Sequence, residues 1–493
     1  MRFNEIREMF KLRPYQENCV RSIYDYISSD RHDPVLVVAP VAAGKSLLLA
    51  EAARIMGGNT IILQPSKELL QQNYDKLISY NIPATIYSAS CGKKELSNMI
   101  YATLGSIKKV VGQLKEMGIR NVLIDEAHAG YSPEDGSEFM TFMNELKPRK
   151  VIGFTATPCR LKNMSIGQTS YSQLNFITRM RPVYFKNLIH VIQVEEMIRQ
   201  GFWTPLKYET WDFNGDALKL NSNGSEYTAE SISEAVRKNG LNNLILRRLM
   251  VLKDVCRSIL VFMDSVESCN TAAEWMNAKI CAGMAEVVHG GTPKKQREAI
   301  VERFKSGGTK VVFNYSALGT GFDHPGLDCV IVGRPTFSFS SFYQWLGRAV
   351  RIKDGKGSAL VVDCCNNSSR FGDIRKLSIE NYKGYGWGMF IGDRLITNIP
   401  MGDKVTKTDL DIKAAKKDRR RGLAQGITAS PVPGRPDHPL GSTVMTFGKY
   451  SGWMLHSIPV SYFKFINETF DWDNDRNKEI KEYIDFLIKN NRL

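Results

Sequence analysis

Short apolar runs rich in β-branched residues recur along the first third of the chain, and each is followed by a stretch with apolar residues at helical spacing. The runs are PVLVVAP from Pro34, TIILQPS from Thr60, NVLIDEAH from Asn121 and KVIGFTATP from Lys150. A strand whose successive residues are all apolar is buried on both faces, and its alternation with helices implies a parallel sheet covered on each side. After Cys256 a second series appears: SILVFMDS, AEVVHGG, KVVFNYS, CVIVGRP and SALVVDCC, again separated by helical spacing. The pattern predicts an α/β chain with two tandem parallel-sheet lobes and a cleft between them, where a ligand would touch both.

The same pattern sets expected boundaries. The first lobe is placed at residues 1–211 and the second at 229–370. Between them residues 212–228, polar and rich in Asn and Gly, read as an exposed linker. The periodicity fails after about Arg370. There KAAKKDRRRG, Lys413 to Gly422, is a basic run that reads as a solvated helix face. ITASPVPGRPDHPLGST, Ile427 to Thr443, has the proline and small-residue content of a flexible connector, so residues 371–443 are expected to be a basic region and linker. A small C-terminal α+β module is expected at 444–493.

Composition narrows the function classes. Of 493 residues, 66 are Lys or Arg and 51 are Asp or Glu, a formal charge of +15 that suits a polyanionic partner such as nucleic acid. Nine cysteines occur with no C-x-x-C pair, which argues against a disulfide framework or a zinc ribbon and fits a reducing cytoplasm. The first residues lack an apolar signal core and no apolar run approaches a membrane span, so a cytoplasmic protein with no membrane association is expected.

Four short stretches carry candidate chemistry. APVAAGKS, Ala39 to Ser46, follows a strand and opens a helix, the setting of a phosphate-binding loop in which N–H groups and the helix dipole favour an anion. Lys45 is then expected on the β- and γ-phosphates of a nucleotide, with the Ser46 hydroxyl on Mg²⁺. The loop departs from G-x-x-x-x-G-K-[ST] at Ala39, and Ala42 and Ala43 stand where glycine is common, while Gly44, Lys45 and Ser46 are kept. DEAH, Asp125 to His128, ends the strand NVLI. Asp125 is the second expected Mg²⁺ ligand and Glu126 the group that polarises an attacking water. In GFTATP, Thr155 and Thr157 either relay the state of the cleft by hydrogen bonds or cap the next segment. In QWLGRAVR, Arg348 and Arg351 are placed on one helix face, aimed at charge developing on the γ-phosphate, with a pair of surface arginines as the alternative. The neighbouring FSFSSFYQW, Phe337 to Trp345, reads as core packing rather than as a base-stacking surface.

In this order LRPYQ (Leu12 to Gln16), APVAAGKS, ILQPSKELLQQ, DEAH, TATP, LVFMDS, YSALGTGFDHPGLD and QWLGRAVR resemble the motifs of superfamily 2 helicases, over roughly residues 5 to 370. The resemblance implies two RecA-like lobes and an ATP-hydrolysing, nucleic-acid-dependent motor. By the same resemblance Arg13 and Gln16 read the adenine, and His128, Gly319, Asp323 and Gln344 join the nucleotide site. Pro65, Ser66, Lys67 and Thr320 contact the nucleic-acid backbone. The chain is most similar in motif style to RadD-like bacterial and phage DNA helicases, but lacks the cysteine-rich zinc module expected after the second lobe. MTFGKYSGWMLHSIPVSYFKFINETF resembles a domain appended to exodeoxyribonuclease X, with Tyr450, Trp453, Tyr462 and Phe463 forming a small core or, with Lys449 and Lys464, a binding platform. These resemblances imply DNA rather than RNA as substrate and a DNA-processing partner for the terminal module. An RNA helicase, a restriction-complex motor and a non-catalytic nucleic-acid clamp remain as alternatives.

Overall fold

The computed structural model describes residues 12–166, 169–318, 322–414, 439–470, 472, 477–490 and 493. The chain through Asn381, together with Trp387–Val405, forms one compact unit that holds both sheets. The first sheet has the strands β1 (Val35–Val38), β2 (Thr60–Leu63), β3 (Thr85–Ser88), β4 (Lys93–Lys94), β5 (Met99–Ala102), β6 (Asn121–Ile124) and β7 (Lys150–Thr155). Beyond the antiparallel hairpin β8 (Cys159–Ile166) and β9 (Thr169–Phe176) follows β10 (Asn187–Val191). The order is β10-β1-β7-β6-β2-β5-β3-β4, parallel apart from the β3–β4 pair. All residues of β1, β2, β5 and β7 are buried, which is why they read as unbroken apolar runs.

Helices α1 (Pro14–Ser28), α2 (Lys45–Met56), α3 (Lys67–Ile78) and α4 (Glu138–Leu146) belong to this lobe. Their starts follow local chemistry. Ser66 caps α3 by accepting from the Leu69 N–H at 3.3 Å, and Ser137 caps α4 by accepting from Met140 at 3.1 Å.

The second sheet contains β11 (Leu206–Thr210), β12 (Ile259–Phe262), β13 (Ala285–His289), β14 (Val311–Tyr315), β15 (Cys329–Val332) and β16 (Ala359–Asp363). Its order, β11-β16-β15-β12-β14-β13, is parallel throughout. It carries helices α5 (Ala229–Lys238), α6 (Leu241–Val255), α7 (Val266–Lys279), α8 (Lys294–Ser306) and α9 (Phe339–Leu346). The two RecA-like parallel sheets are therefore present as the periodicity predicts.

Two boundaries differ from expectation. The chain enters the second sheet at β11, before residue 212, because Leu206–Thr210 pairs in register with Ala359–Asp363. The stretch 212–228 is thus an excursion within the second lobe. It is tied down by a bridge between Leu220 and Tyr227 and by Glu226, whose carboxylate accepts from the Thr336 hydroxyl (2.5 Å) and the Phe337 N–H (2.7 Å). Nor is 371–443 all linker. Leu377–Tyr382, Gly386–Ile391 and Arg394–Leu395 are strands of a small sheet, stabilised by inward-facing Leu377, Ile379, Met389 and Phe390. Most of the basic run and of the proline-rich connector, residues 415–438, lies outside the described residues.

The described residues between 439 and 493 pack around a core of their own, with helices α10 (Val460–Thr469) and α11 (Lys478–Lys489) and an isolated bridge between Val444 and Met454. Tyr450, Tyr462 and Phe463 belong to that core, whereas Trp453 is half exposed and Lys449 and Lys464 face solvent. All nine cysteines are free thiols, and no helix among the described residues is long and apolar enough to cross a membrane.

Candidate nucleotide site

The carboxyl ends of β1, β7 and β6 lie side by side in the sheet, so the loop after β1, the TATP segment and DEAH converge although more than a hundred residues separate the first from the TATP segment in sequence. The apolar β1 delivers the chain to Ala39, and the loop turns into α2 through two residues with left-handed backbones, Ala42 (φ 65°) and Gly44 (φ 83°). Gly44 is needed on two counts. A Cβ there would also sit 2.5 Å from the Gln16 amide nitrogen. Ala42 carries a Cβ in a conformation glycine adopts freely, at a cost of about 1–2 kcal/mol. That is the physical content of the alanine departure.

Gln16 does not face the cavity. Its amide is buried, accepting from Arg13 N at 2.9 Å and donating to the Ala43 carbonyl at 2.8 Å, beside Tyr15 Oη at 3.3 Å from the same carbonyl. Ala43 is likewise fully buried behind the loop. The cavity wall on this side consists of Arg13 and Phe202, with the guanidinium 4.6 Å from the ring centroid.

Lys45 reaches across to DEAH. Its ammonium lies 3.0 Å from Asp125 Oδ1 and pairs with Glu126 Oε1. Burial alone would lower the Lys45 pKa, but the two carboxylates outweigh it and the group is held above its ordinary value. Burial pushes the Asp125 carboxyl up, and Lys45 opposes that. Asp125 also accepts from Asn73 Nδ2 at 2.8 Å and from the Glu126 N–H at 2.9 Å. Glu126 itself holds a left-handed backbone at φ 46°, strain of the kind that gathers at functional positions.

His128 stands behind this pair rather than in the cavity. Its Nδ1 is 2.8 Å from Thr155 Oγ1 and 3.3 Å from Glu126 Oε2. Burial, with Lys45 and Arg160 nearby, depresses its pKa to about 3, so it is neutral. Thr155 Oγ1 accepts from Thr157 N at 3.0 Å, and Ser340 Oγ of α9 donates to Thr157 Oγ1 at 3.1 Å. Hydrogen bonds therefore link His128 to Thr155, Thr155 to Thr157 and Thr157 to the second lobe, with Glu126 beside the imidazole but outside this line.

From the second lobe, α9 buries Phe339, Phe342, Tyr343 and Leu346, so the aromatic segment is core, and it turns Gln344 toward the cavity. The arginines are not on one helix face as expected. The helix ends at Leu346; Arg348 and Arg351 follow it in a tightened turn, where Arg348 N bonds Trp345 O and Ala349 N bonds Leu346 O. Both still line the cavity. Arg348 donates to the Phe322 carbonyl at 2.8 Å and Arg351 pairs with Asp323. Burial lowers each guanidinium to about 10, which leaves both charged at neutral pH.

The lobes meet at the loop tip. Val41 packs against Gly347, and the Trp203 indole donates to the Val41 carbonyl at 3.0 Å. The resulting cavity of about 730 Å³ brings together Arg13, Ala42, Gly44, Lys45, Ser46, Asp125 and Glu126 with Asp323, Gln344, Arg348 and Arg351. Gly319 and Thr320 lie outside the described residues. Pro65, Ser66 and Lys67 sit at the carboxyl end of β2, Pro65 and Lys67 exposed, and do not line the cavity. Asn73 and Phe202 were not singled out from the sequence. Asn73 had a signal, being the polar member of the otherwise apolar stripe Leu70, Asn73, Leu77; Phe202 had none.

The family described as the type III restriction enzyme, res subunit, matches residues 9–160, and the helicase conserved C-terminal domain matches residues 242–353. The first match falls on the first lobe and the second on the second lobe, so the pair is similar to the core of a helicase. Among relatives of this helicase core, a 51.5 kDa protein of a Lactococcus phage (isolate 7-9) is 24% identical over 332 residues, covering 66% of this chain and 65% of the phage protein. The ATP-dependent DNA helicase Hel308 of Pyrococcus horikoshii is 25% identical over 376 residues, covering 68% of this chain and 49% of its own. The chain thus spans about half to two thirds of these relatives. Solved structures share the fold: the ATP-dependent type ISP restriction-modification enzyme LlaBIII bound to DNA (TM-score 0.52, 14% identity, 84% of this chain and 30% of that one) and a fragment titled as an HsdR subunit of a type I restriction enzyme from Vibrio vulnificus YJ016 (TM-score 0.53, 17% identity, 74% and 66%).

Proposed function

We propose that the chain couples ATP hydrolysis to movement on DNA, acting on single-stranded or branched DNA in replication, recombination or repair. The observation that carries this reading is the composition of one cavity: Lys45, Asp125 and Glu126 come from one lobe, and Gln344, Arg348 and Arg351 from the other. Phosphate groups of ATP replace the carboxylates as partners of Lys45, which frees Glu126 to orient and deprotonate the attacking water. Arg348 and Arg351 meet the charge that develops on the transferred phosphoryl group. The donor set also suits Mg²⁺, because the Ser46 hydroxyl and the Asp125 carboxylate are hard oxygen ligands; bound there, the ion would neutralise phosphate charge. Arg13 and Phe202 offer the adenine a flat cationic–aromatic wall, and Gln16 supports the loop from behind. ATP thereby bridges the lobes, and its hydrolysis removes the bridge.

The excess of positive charge favours a phosphodiester track, gripped in part by Pro65, Ser66, Lys67 and Thr320, with affinity that falls as salt rises. Relatives named as DNA helicases favour DNA, and the motif style groups the chain with RadD-like enzymes. In that setting the terminal module contacts a DNA-processing protein. A second reading, the motor of a restriction complex, is favoured by the match of residues 9–160 to the res subunit family.

The test is steady-state ATPase at one fixed salt concentration, with no nucleic acid, single-stranded DNA, duplex DNA, a branched junction and single-stranded RNA. Stimulation by DNA, greatest on the junction, supports the proposal. Preference for RNA moves the chain to the RNA helicases, stimulation by duplex alone favours the restriction motor, and no turnover with any of them leaves a clamp.

A further inference from the structure

The two arginines reach the cavity from irregular backbone, so something must hold that backbone still. Arg348 is oriented by the carbonyl of Phe322 and Arg351 by the carboxylate of Asp323, both in the loop that follows the 319–321 segment. That loop and the arginine turn are joined by one side chain. Lys356, five residues beyond Arg351, turns back under the turn, and its ammonium donates to Pro325 O at 3.1 Å, Ala349 O at 2.7 Å and Arg351 O at 2.8 Å. An ammonium has three donors, and all three are used on carbonyls that no helix or strand ladder satisfies. The arrangement continues into the interlobe segment, where Thr204 Oγ1 donates to Arg351 O at 2.7 Å and Thr204 N to Val350 O at 2.8 Å.

We propose that Lys356 is a positioning residue for ATP hydrolysis: its ammonium clamps the Phe322–Pro325 loop to the arginine turn and so fixes both guanidiniums against the opposite lobe. This rests on the reading of Arg348 and Arg351 given above. Lys356 lines none of the cavity and touches no other part of the nucleotide site. A placement error of about 1 Å in such groups is enough to cost roughly 10²-fold in rate. A guanidinium cannot replace the ammonium fully, because its donors lie in a plane whereas the three carbonyls converge on a point.

The clamp is pH-sensitive. Burial lowers the Lys356 pKa to about 8; Asp328 opposes this, and Arg351 and Lys353 add to it. The neighbouring titratable group is His324, which burial beside Lys353, Lys305 and Lys356 holds at about 4, and therefore neutral at these pH values. Protonated Lys356 is the clamping form, so its contribution is complete below that value and declines as pH rises through it.

The experiment compares wild type, K356M, K356R, R351A and K356M/R351A by kcat and KM for ATP from pH 6.5 to 9.5, with and without single-stranded DNA, together with thermal melting. K356M is expected to lower kcat about tenfold or more with KM within about twofold, and to add little to R351A, because the two act through one group. The wild-type alkaline limb near pH 8 is expected to be missing in K356R. Wild-type kcat in K356M, or a loss that adds fully to that of R351A, overturns the proposal. A loss that tracks a fall in melting temperature and is just as large when K356M is added to R351A also overturns it. Full turnover by R351A itself would instead remove the arginine assignment on which the proposal depends.

Discussion

Gly347 offers a direct test of whether the lobes close during turnover as they do here. Its backbone is ordinary right-handed (φ −59°, ψ −14°), so alanine meets no conformational penalty. The obstacle is across the cleft, where a Cβ at 347 would lie 2.6 Å from Val41 Cβ, 2.7 Å from Cγ2 and 2.8 Å from Cγ1. Ordinary contact begins near 3.4 Å, so the two backbones must separate or twist by several tenths of an ångström. Overpacking of this kind costs about 1–3 kcal/mol. Because the clash exists only when the lobes are together, that energy acts on closure, and Gly347→Ala should lower kcat/KM for ATP by about 5- to 150-fold. Because one hydrophobic core runs through both lobes, the melting curves also report how much of the clash reaches folding stability. The structure also specifies the rescue. Val41→Ala leaves the nearest atom, Cβ, in place and should restore little, whereas Val41→Gly removes all three and should restore most of the loss in the double variant. Steady-state ATPase of the four proteins, with melting curves as control, decides it. Wild-type kcat/KM in Gly347→Ala, or equal rescue by Val41→Ala and Val41→Gly, would refute the reasoning.

Other expectations follow from the same cavity. Glu126→Gln should reduce turnover about 10²- to 10⁴-fold while retaining affinity for a fluorescent ATP analogue. Lys45→Ala should lose both, and normal ATPase in the two variants would show that the site is misassigned. Gln16→Ala removes the bond to the Ala43 carbonyl and loosens the loop; with about 1–2 kcal/mol at stake, KM for ATP should rise roughly 5- to 30-fold with kcat less affected, and an unchanged KM would mean that the loop holds its shape alone. His128 is neutral in the fold with its pKa near 3 against 6.5 when exposed, so the unfolded chain binds its proton first as pH falls. Stability should therefore decline by up to about 1.4 kcal/mol per pH unit below pH 6.5, a slope that His128→Gln should reduce in pH-dependent melting.

The sequence by itself determined the lobes and most of the chemistry. Nine of the strands are legible because a strand buried on both faces of a parallel sheet must be apolar at every position, a constraint written into consecutive residues. Lys45, Asp125 and Glu126 are legible for a related reason: the two carboxylates directly follow such a strand and Lys45 opens the helix after another, where the turn fixes the residue types. The fully buried β5, Met99–Ala102, has Ile100 as its one β-branched residue, and the short β3, the edge strand β4 and the hairpin β8–β9 carry no comparable run. Nor do the strands β10 and β11, which have partly exposed positions, and the latter therefore reads as part of the first lobe.

Only the tertiary structure decided how the two lobes complete one another. Arg348 and Arg351 lie some 300 residues from Lys45, and their spacing suggests a helix face; the helix instead ends at Leu346, and the tightened turn beyond it places them individually. Gln16 matches a motif associated with the base, yet its amide is spent on the loop beneath. The polar stretch 212–228 reads as linker because Glu226, which helps to tie it down, accepts from a backbone N–H and a hydroxyl that are more than a hundred residues away. Lys356 is the extreme case. All its partners are carbonyl oxygens, which every residue possesses, so a side chain that holds backbone leaves no pattern in the sequence, and only the folded chain shows what it binds.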